Sequence, residues 1–333
     1  MLVAAAMMVQ STGKAASVEQ TISFTGHGGV PIAGTLVLPA SASADHPVPA
    51  MLLIQGSGPT DRDGNQPPNF QTDLLRQLAE VLADEDIATL RFDKRGLYAN
   101  RSSMPTRQEE LPAFFSWSAF VGDAAAGFAF LAAHPAIASG RIGVLGHSEG
   151  GLIALDLANK NQRQPKVLIL AATAGRPMGK IIQDQLSAAL ERQHATAEQR
   201  QFFLNDDQRI RSEILATGKV PPDVPPGLAA LYPSYLGPFY KSQLVLDPVA
   251  LAANFKGPIL VINGAADTQV SATRDAARFS SGLASRKDGS EIFTPAAVSH
   301  NLKTVANNDD PGIAGNLDTR VKDVIVSWLK TAL

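Results

Sequence analysis

Short apolar runs alternate with helically spaced apolar positions along most of the chain, the pattern of an α/β protein with a mostly parallel sheet. Gln20 to Phe24 and Ile32 to Leu38 read as strands about the turn Gly26-His27-Gly28-Gly29, an antiparallel opening ribbon. Ala50 to Ile54 is a buried strand running into a glycine-rich loop. Leu74, Leu75, Leu78, Val81 and Leu82 then fall on one helical face. Ile87 to Phe92 is the next strand, and Ser116 or Ser118 is placed to cap a helix running to about Ala133. Arg141 to Leu145 is a further strand, followed by a helix carrying Leu152, Ile153, Leu155 and Leu157. Val167 to Ala172 is the continuous apolar run expected of a central parallel strand. Ile259 to Ile262 and Glu291 to Thr294 complete the strands. Leu317, Val321, Val324, Ile325, Trp328 and Leu329 mark a closing helix.

Between about Gly175 and Pro258 the alternation stops. Helical patches (Ile181, Ile182, Leu186, Leu190; Ile210, Ile214, Leu215) flank a Pro-rich break at Pro221 to Pro226, and Tyr232, Tyr235, Phe239 and Tyr240 form an aromatic cluster. Strands on both sides belong to one sheet, so residues 176–255 are expected to be a helical cap inserted into a single domain of residues 18–333. Residues 1–17 form an N-terminal tail. Its apolar run, Leu2 to Val9, and the small residues around Gly13-Lys14-Ala15-Ala16 suit a signal remnant, although no basic segment precedes them. An exported protein and a cytoplasmic one with an apolar tail are both compatible with this.

Composition narrows the classes. The 333 residues are 45% hydrophobic and 18% charged, enough for a large core. Lys and Arg total 29 against 31 Asp and Glu, a net charge of −2, which gives no electrostatic footprint for nucleic acid. No apolar stretch reaches the roughly 18 to 20 residues of a membrane-spanning helix. The absence of cysteine removes thiolate metal sites and a cysteine nucleophile. There is no H-E-x-x-H, and the glycine-rich stretches have the wrong spacing for nucleotide loops, so neither a metal nor a cofactor is expected.

The chemistry concentrates at Gly146-His147-Ser148-Glu149-Gly150, a G-x-S-x-G sequence. The pattern arises by chance in roughly one chain in seven of this length, so its context decides. Here a buried strand precedes it and a helical pattern follows, as a serine on a tight strand-to-helix turn requires. A serine hydroxyl needs a base to take its proton and a carboxylate to orient that base. In the order serine, acid, histidine, His300 follows the last strand by a short loop, whereas His194 lies among polar helical residues of the cap. Asp267, just after the strand Ile259 to Ile262, is placed where loops of parallel strands converge. Asp93 comes too early in the order, and Asp247 before Pro248 reads as a turn. An oxyanion needs preorganised N–H donors. The N–H of Glu149 follows the nucleophile, and the loop after Ala50 to Ile54 offers Ser57, with Gly56 the alternative.

Taken together, these residues resemble the serine α/β-hydrolases, and among them a bacterial esterase-like group. The matching segments are Gly56-Ser57-Gly58-Pro59-Thr60-Asp61-Arg62-Asp63-Gly64-Asn65, Arg91-Phe92-Asp93-Lys94-Arg95-Gly96, the elbow with its extra Gly151, the Asp267 loop and Ser299-His300. The resemblance implies an α/β-hydrolase fold, a triad of Ser148, Asp267 and His300, and hydrolysis of small-molecule carboxylic esters without a cofactor. A serine peptidase or amidase would use the same machinery, and a non-catalytic binding protein would have lost part of it. The mixed charges at Asp61 to Asn65 and Asp93 to Arg95 are expected to brace the oxyanion loop or to contact substrate. The cluster Tyr232, Tyr235, Phe239 and Tyr240 is a candidate substrate pocket, with packing inside the cap as the alternative.

Overall fold

The computed structural model describes residues 16–307 and 310–333; the apolar run Leu2 to Val9 lies outside them. Eight strands form one sheet: β1 (Val18–Thr25), β2 (Pro31–Leu38), β3 (Val48–Ile54), β4 (Ala88–Phe92), β5 (Ile137–His147), β6 (Leu168–Ala171), β7 (Ile259–Ile262) and β8 (Glu291–Phe293). Their spatial order is β1-β2-β4-β3-β5-β6-β7-β8. β2 runs antiparallel to both its neighbours, β1 and β4, and from β4 to β8 every pairing is parallel. The chain goes from β3 to β4 on one side and returns to β5 on the other. The carboxyl ends of β3 and β5 therefore lie side by side where the strand order reverses, the place such sheets bind ligands.

Strand residues alternate between two cores. Ala50, Leu52 and Ile54 of β3 face one, and Met51 and Leu53 the other. The second core is covered by α1 (Leu74–Ala83) and, at the C-terminus, by α10 (Thr319–Ala332), whose Val321, Ile325, Trp328 and Leu329 are buried. After a single turn, α2 (Leu111–Phe114), the first core is covered by α3 (Trp117–Ala133) and α4 (Glu149–Lys160). Ser116 caps α3 by accepting from the Ala119 N–H. No single helix among the described residues is long and apolar enough to cross a membrane.

Several boundaries shift by a residue or two from the sequence pattern, and two shifts have a visible cause. β5 begins at Ile137 rather than Arg141, because Val48 pairs with Ile137 across a register shift that polar Ser139 and Gly140 conceal from a hydrophobicity reading. Leu317 lies before α10, where Asp318 caps the helix by accepting from the Arg320 and Val321 N–H groups.

Between β6 and β7 the chain is helical: α5 (Met178–Arg192), α6 (Ala197–Thr217), α7 (Gly237–Leu244) and α8 (Pro248–Asn254). Thr196 and Gln199 form a capping box at the start of α6, and Gly218 closes it with φ 76°. Ile182, Ile210, Ile214, Leu228 and Phe239 join the core shared with α3 and α4, so the insertion is continuous with the sheet domain. α9 (Ala277–Leu283) follows β7.

Candidate active site

Ser148 sits between β5 and α4 with φ 54° and ψ −120°, a backbone conformation that a non-glycine residue holds only under constraint. The constraint is visible in the flanking glycines. A Cβ on Gly146 would lie 2.2 Å from the Gly150 carbonyl oxygen, and one on Gly150 would lie 2.4 Å from the carbonyl oxygen of Ile54. One on Gly151 would lie 1.9 Å from Thr173 Oγ1. Strand, turn and helix are thus pressed together at contacts that only hydrogen side chains permit. Ser148 Oγ has no hydrogen-bond partner among the described residues and lines a cavity.

His300 and Asp267 form a buried pair, with His300 Nδ1 2.8 Å from Asp267 Oδ2. A carboxylate oxygen only accepts, so Nδ1 carries the proton and Nε2 is left as the basic nitrogen. Asp267 is itself fixed. Its Oδ1 accepts from the N–H groups of Gln269 (2.8 Å) and Val270 (2.9 Å), and its Oδ2 accepts from Asn263 Nδ2 at 3.2 Å. The pair is carried to the elbow by His147, the residue before Ser148. The His147 Nε2–H donates to the His300 carbonyl at 2.9 Å, with the two rings 4.9 Å apart. Burial and the neighbouring His300 push the His147 pKa down to about 3, so its ring is neutral at ordinary pH.

Across the switch point lies the loop after β3. A Cβ on Gly56 would be 3.2 Å from Ser148 Cβ, and Ser57 lines the cavity together with Ser148 and Glu149. Lys94, at the end of β4, is buried behind this loop. Its ammonium donates to the carbonyls of Gly56 (2.6 Å) and Gly58 (2.9 Å) and lies 3.7 Å from Glu149 Oε1. Burial pushes the Lys94 pKa down, and the Glu149 carboxylate opposes that shift. The Nε2 of Gln243, on α7, donates to Glu149 Oε2 at 3.0 Å.

The other charges near the loop are paired. Arg62 meets Asp93 at 2.6 Å, Arg91 meets Asp63 at 2.7 Å, and Arg95 meets buried Asp123 at 2.7 Å. Asp61 turns its carboxylate onto the N–H groups of Asp63 and Asn65. These contacts brace the loop, and none of these residues lines the cavity at Ser148. Asp247 caps α8, and His194 is exposed after α5.

None of the four aromatic residues Tyr232, Tyr235, Phe239 and Tyr240 lines the cavity at Ser148. Tyr232 is buried with its hydroxyl donating to Asp207, and Tyr240 donates to the Leu231 carbonyl. Phe239 packs edge-on against Trp117 and Phe120, and Tyr235 packs against Phe115. Tyr232 and Tyr240 satisfy their hydroxyls inside the insertion, as buried phenols must. Beside Ser57, Ser148 and Glu149, the cavity is lined by Leu152, Ala174, Arg176, Met178, Ile181, Gln185, Pro248 and Val270. Met178, Ile181 and Gln185 are spaced i, i+3 and i+7 on α5, a face that the sequence shows as helical but does not distinguish from core. The cavity is narrow, about 50 Å³, and mostly apolar. Larger depressions of about 380 and 400 Å³ open elsewhere, one at the opposite ends of the strands, and neither contains a residue of the Ser148 group.

Known proteins share this frame. An esterase of Pyrococcus furiosus superposes with a TM-score of 0.57 at 15% identity, over 95% of this chain and 91% of that one. The chain has the α/β-hydrolase fold. A puromycin-hydrolyzing peptidase of Mycobacterium tuberculosis superposes with a TM-score of 0.59 at 16% identity, over 95% of this chain and 40% of that one. In sequence, the family model described as serine aminopeptidase, S33, matches residues 71–217. Esterase EstD of Thermotoga maritima is 26% identical over 300 residues, 89% of this chain. The alignment spans 65% of the length of EstD.

Proposed function

We propose that the protein is a serine hydrolase that cleaves carboxylic esters of short acyl groups through an acyl-enzyme on Ser148. The observation that carries this reading is the 2.8 Å bond between Asp267 and His300, held beside the elbow by His147. His300 Nε2 takes the proton of Ser148 Oγ as the hydroxyl attacks the ester carbonyl, and returns it to the leaving alcohol. Asp267 keeps the proton on Nδ1 and stabilises the imidazolium that forms. The tetrahedral oxygen is received by the N–H groups of Glu149 and Ser57, with Gly56 the alternative to Ser57. Water, activated by the same histidine, then releases the acid.

Ester rather than peptide is favoured by the charges at the cavity. An aminopeptidase needs a free carboxylate for the substrate's ammonium group, and Glu149, which lines the cavity, is already held by Gln243 and Lys94. Short acyl groups are favoured by the small size of the cavity, about 50 Å³.

The test is initial-rate hydrolysis of chromogenic esters from acetyl to long-chain acyl, beside aminoacyl anilides. Wild type is expected to turn over the short esters and not the anilides. Ser148→Ala and His300→Ala should each lose on the order of 10⁶-fold in kcat, and Asp267→Asn on the order of 10⁴-fold. Serine-dependent anilide cleavage would put the peptidase reading first, and turnover that survives Ser148→Ala would end both.

A further inference from the structure

Behind the two candidate oxyanion donors lies one cation that takes no part in the steps above. Lys94 Nζ is 2.6 Å from the Gly56 carbonyl oxygen, 2.9 Å from that of Gly58 and 3.7 Å from Glu149 Oε1. It also lies 5.9 Å from the centre of the Phe120 ring. Its three N–H bonds are therefore directed at one loop and one residue.

The direction of the Gly56 carbonyl has a consequence one atom further on. That carbonyl and the Ser57 N–H belong to the same planar trans peptide and point to opposite sides of it. A carbonyl held against Lys94 fixes the Ser57 N–H on the face away from Lys94, and Ser57 lines the cavity with Ser148. The φ of +74° at Gly58 bends the chain so that a second carbonyl reaches the same ammonium, leaving the loop two anchors. The third contact, the Glu149 carboxylate, belongs to the residue whose own N–H is the other candidate donor. A positive charge behind a peptide also polarises its N–H toward a developing anion.

We infer that Lys94 is a positioning residue for transition-state stabilisation: it aims and polarises the Ser57 N–H and, through Glu149, ties it to the second donor and to Gln243 of α7. The inference rests on the proposed function, since it needs an oxyanion to form at Ser148. Lys94 itself touches no reacting atom. It acts on the tetrahedral state and not on the bound ester, so its loss falls on kcat.

Lys94→Met keeps most of the stem and removes the donors and the charge. Lys94→Gln keeps a donor for the Gly56 carbonyl without the charge. On a short-chain ester, Lys94→Met is expected to lose about 10²-fold in kcat with KM within threefold of wild type, and Lys94→Gln to recover about a tenth of the wild-type rate. Inhibition by an alkyl boronic acid, whose serine adduct is tetrahedral, should weaken in parallel with kcat. A kcat within threefold of wild type in both variants overturns the inference, as does a loss that appears in KM while boronate inhibition is unchanged. Should Lys94→Met not fold, Lys94→Gln decides by the same criteria. Wild type without Ser148-dependent ester turnover overturns the proposed function and this inference together, whereas normal wild-type turnover with insensitive Lys94 variants overturns this inference alone.

Discussion

His147 illustrates how a single residue serves the site and burdens the fold. Its ring is buried at the elbow and donates to the His300 carbonyl. Burial holds its pKa near 3 against the 6.5 of an ordinary histidine. Above pH 6.5 the ring is neutral folded or unfolded, so it adds no pH dependence there. As pH falls from 6.5 toward 3 the unfolded chain takes up a proton that the folded one refuses, and stability is lost. The loss should reach about 2 kcal/mol by pH 5. His147→Gln retains an N–H for the same carbonyl without the titration, and its melting temperature should fall less than that of wild type between pH 7.5 and pH 5. Parallel acid profiles for the two chains would show that the buried imidazole is not the cause. At this scale the sequence was legible where spacing and chain order carry chemistry. The positions of Ser148, Asp267 and His300 follow from the order of strands and loops, and the structure brings Asp267 and His300 into one hydrogen bond. It was not legible for Tyr232 and Tyr240, because an aromatic run looks the same whether its rings line a cavity or bury their hydroxyls against Asp207 and a carbonyl.

Among the elements, α5 has the most to say about substrate. It enters the insertion directly after β6 and presents Met178, Ile181 and Gln185 to the cavity at Ser148. Ile181 is buried and also packs with Ala174 and Val270, so it forms the cavity wall and not merely its rim. Ile181→Ala removes three side-chain carbons from that wall. The chain-length optimum of ester hydrolysis should move toward longer acyl groups, with kcat/KM for a hexanoyl ester rising relative to the acetyl ester. The cost to stability should be about 2 to 4 kcal/mol, as for other buried large-to-small changes. An unchanged acyl profile in a folded Ile181→Ala chain would place the acyl group elsewhere. The strands of the sheet were readable because β3, β6 and β7 are buried on both faces and written as unbroken apolar runs. The faces of α5 were not. Its apolar residues serve a core on one side and a cavity on the other, and periodicity records only that both sides avoid water.

For the whole molecule, the question is what fastens a helical insertion of this size to the sheet. Much of the answer is the shared core, but the chain's entry into the insertion is held by one buried carboxylate. Asp275, fully buried after β7, accepts from the N–H groups of Gly175, Arg176 and Ser271 and from two guanidinium nitrogens of Arg176. Arg176 also meets Asp184 of α5 at 2.7 Å, so the cluster joins β6, α5 and the segment leading into α9. Sequence gives no sign of this partnership, because Asp275 and Arg176 are 99 positions apart. Removing the charge leaves half-buried Arg176 with Asp184 as its one charged partner and an amide oxygen in place of the Asp275 carboxylate, which costs up to about 3 kcal/mol. In a chain of 333 residues that corresponds to at most roughly 4 °C in melting temperature. Asp275→Asn should show that loss. Asp223→Asn, which breaks an ion pair with Arg209 that is exposed on both sides, should shift melting by less than 1 °C. Because Arg176 borders the cavity, Asp275→Asn should also raise KM for short esters more than it lowers kcat. Equal melting temperatures for the two variants would mean that the shared core alone holds the insertion, and that its first turn is free to move against the sheet.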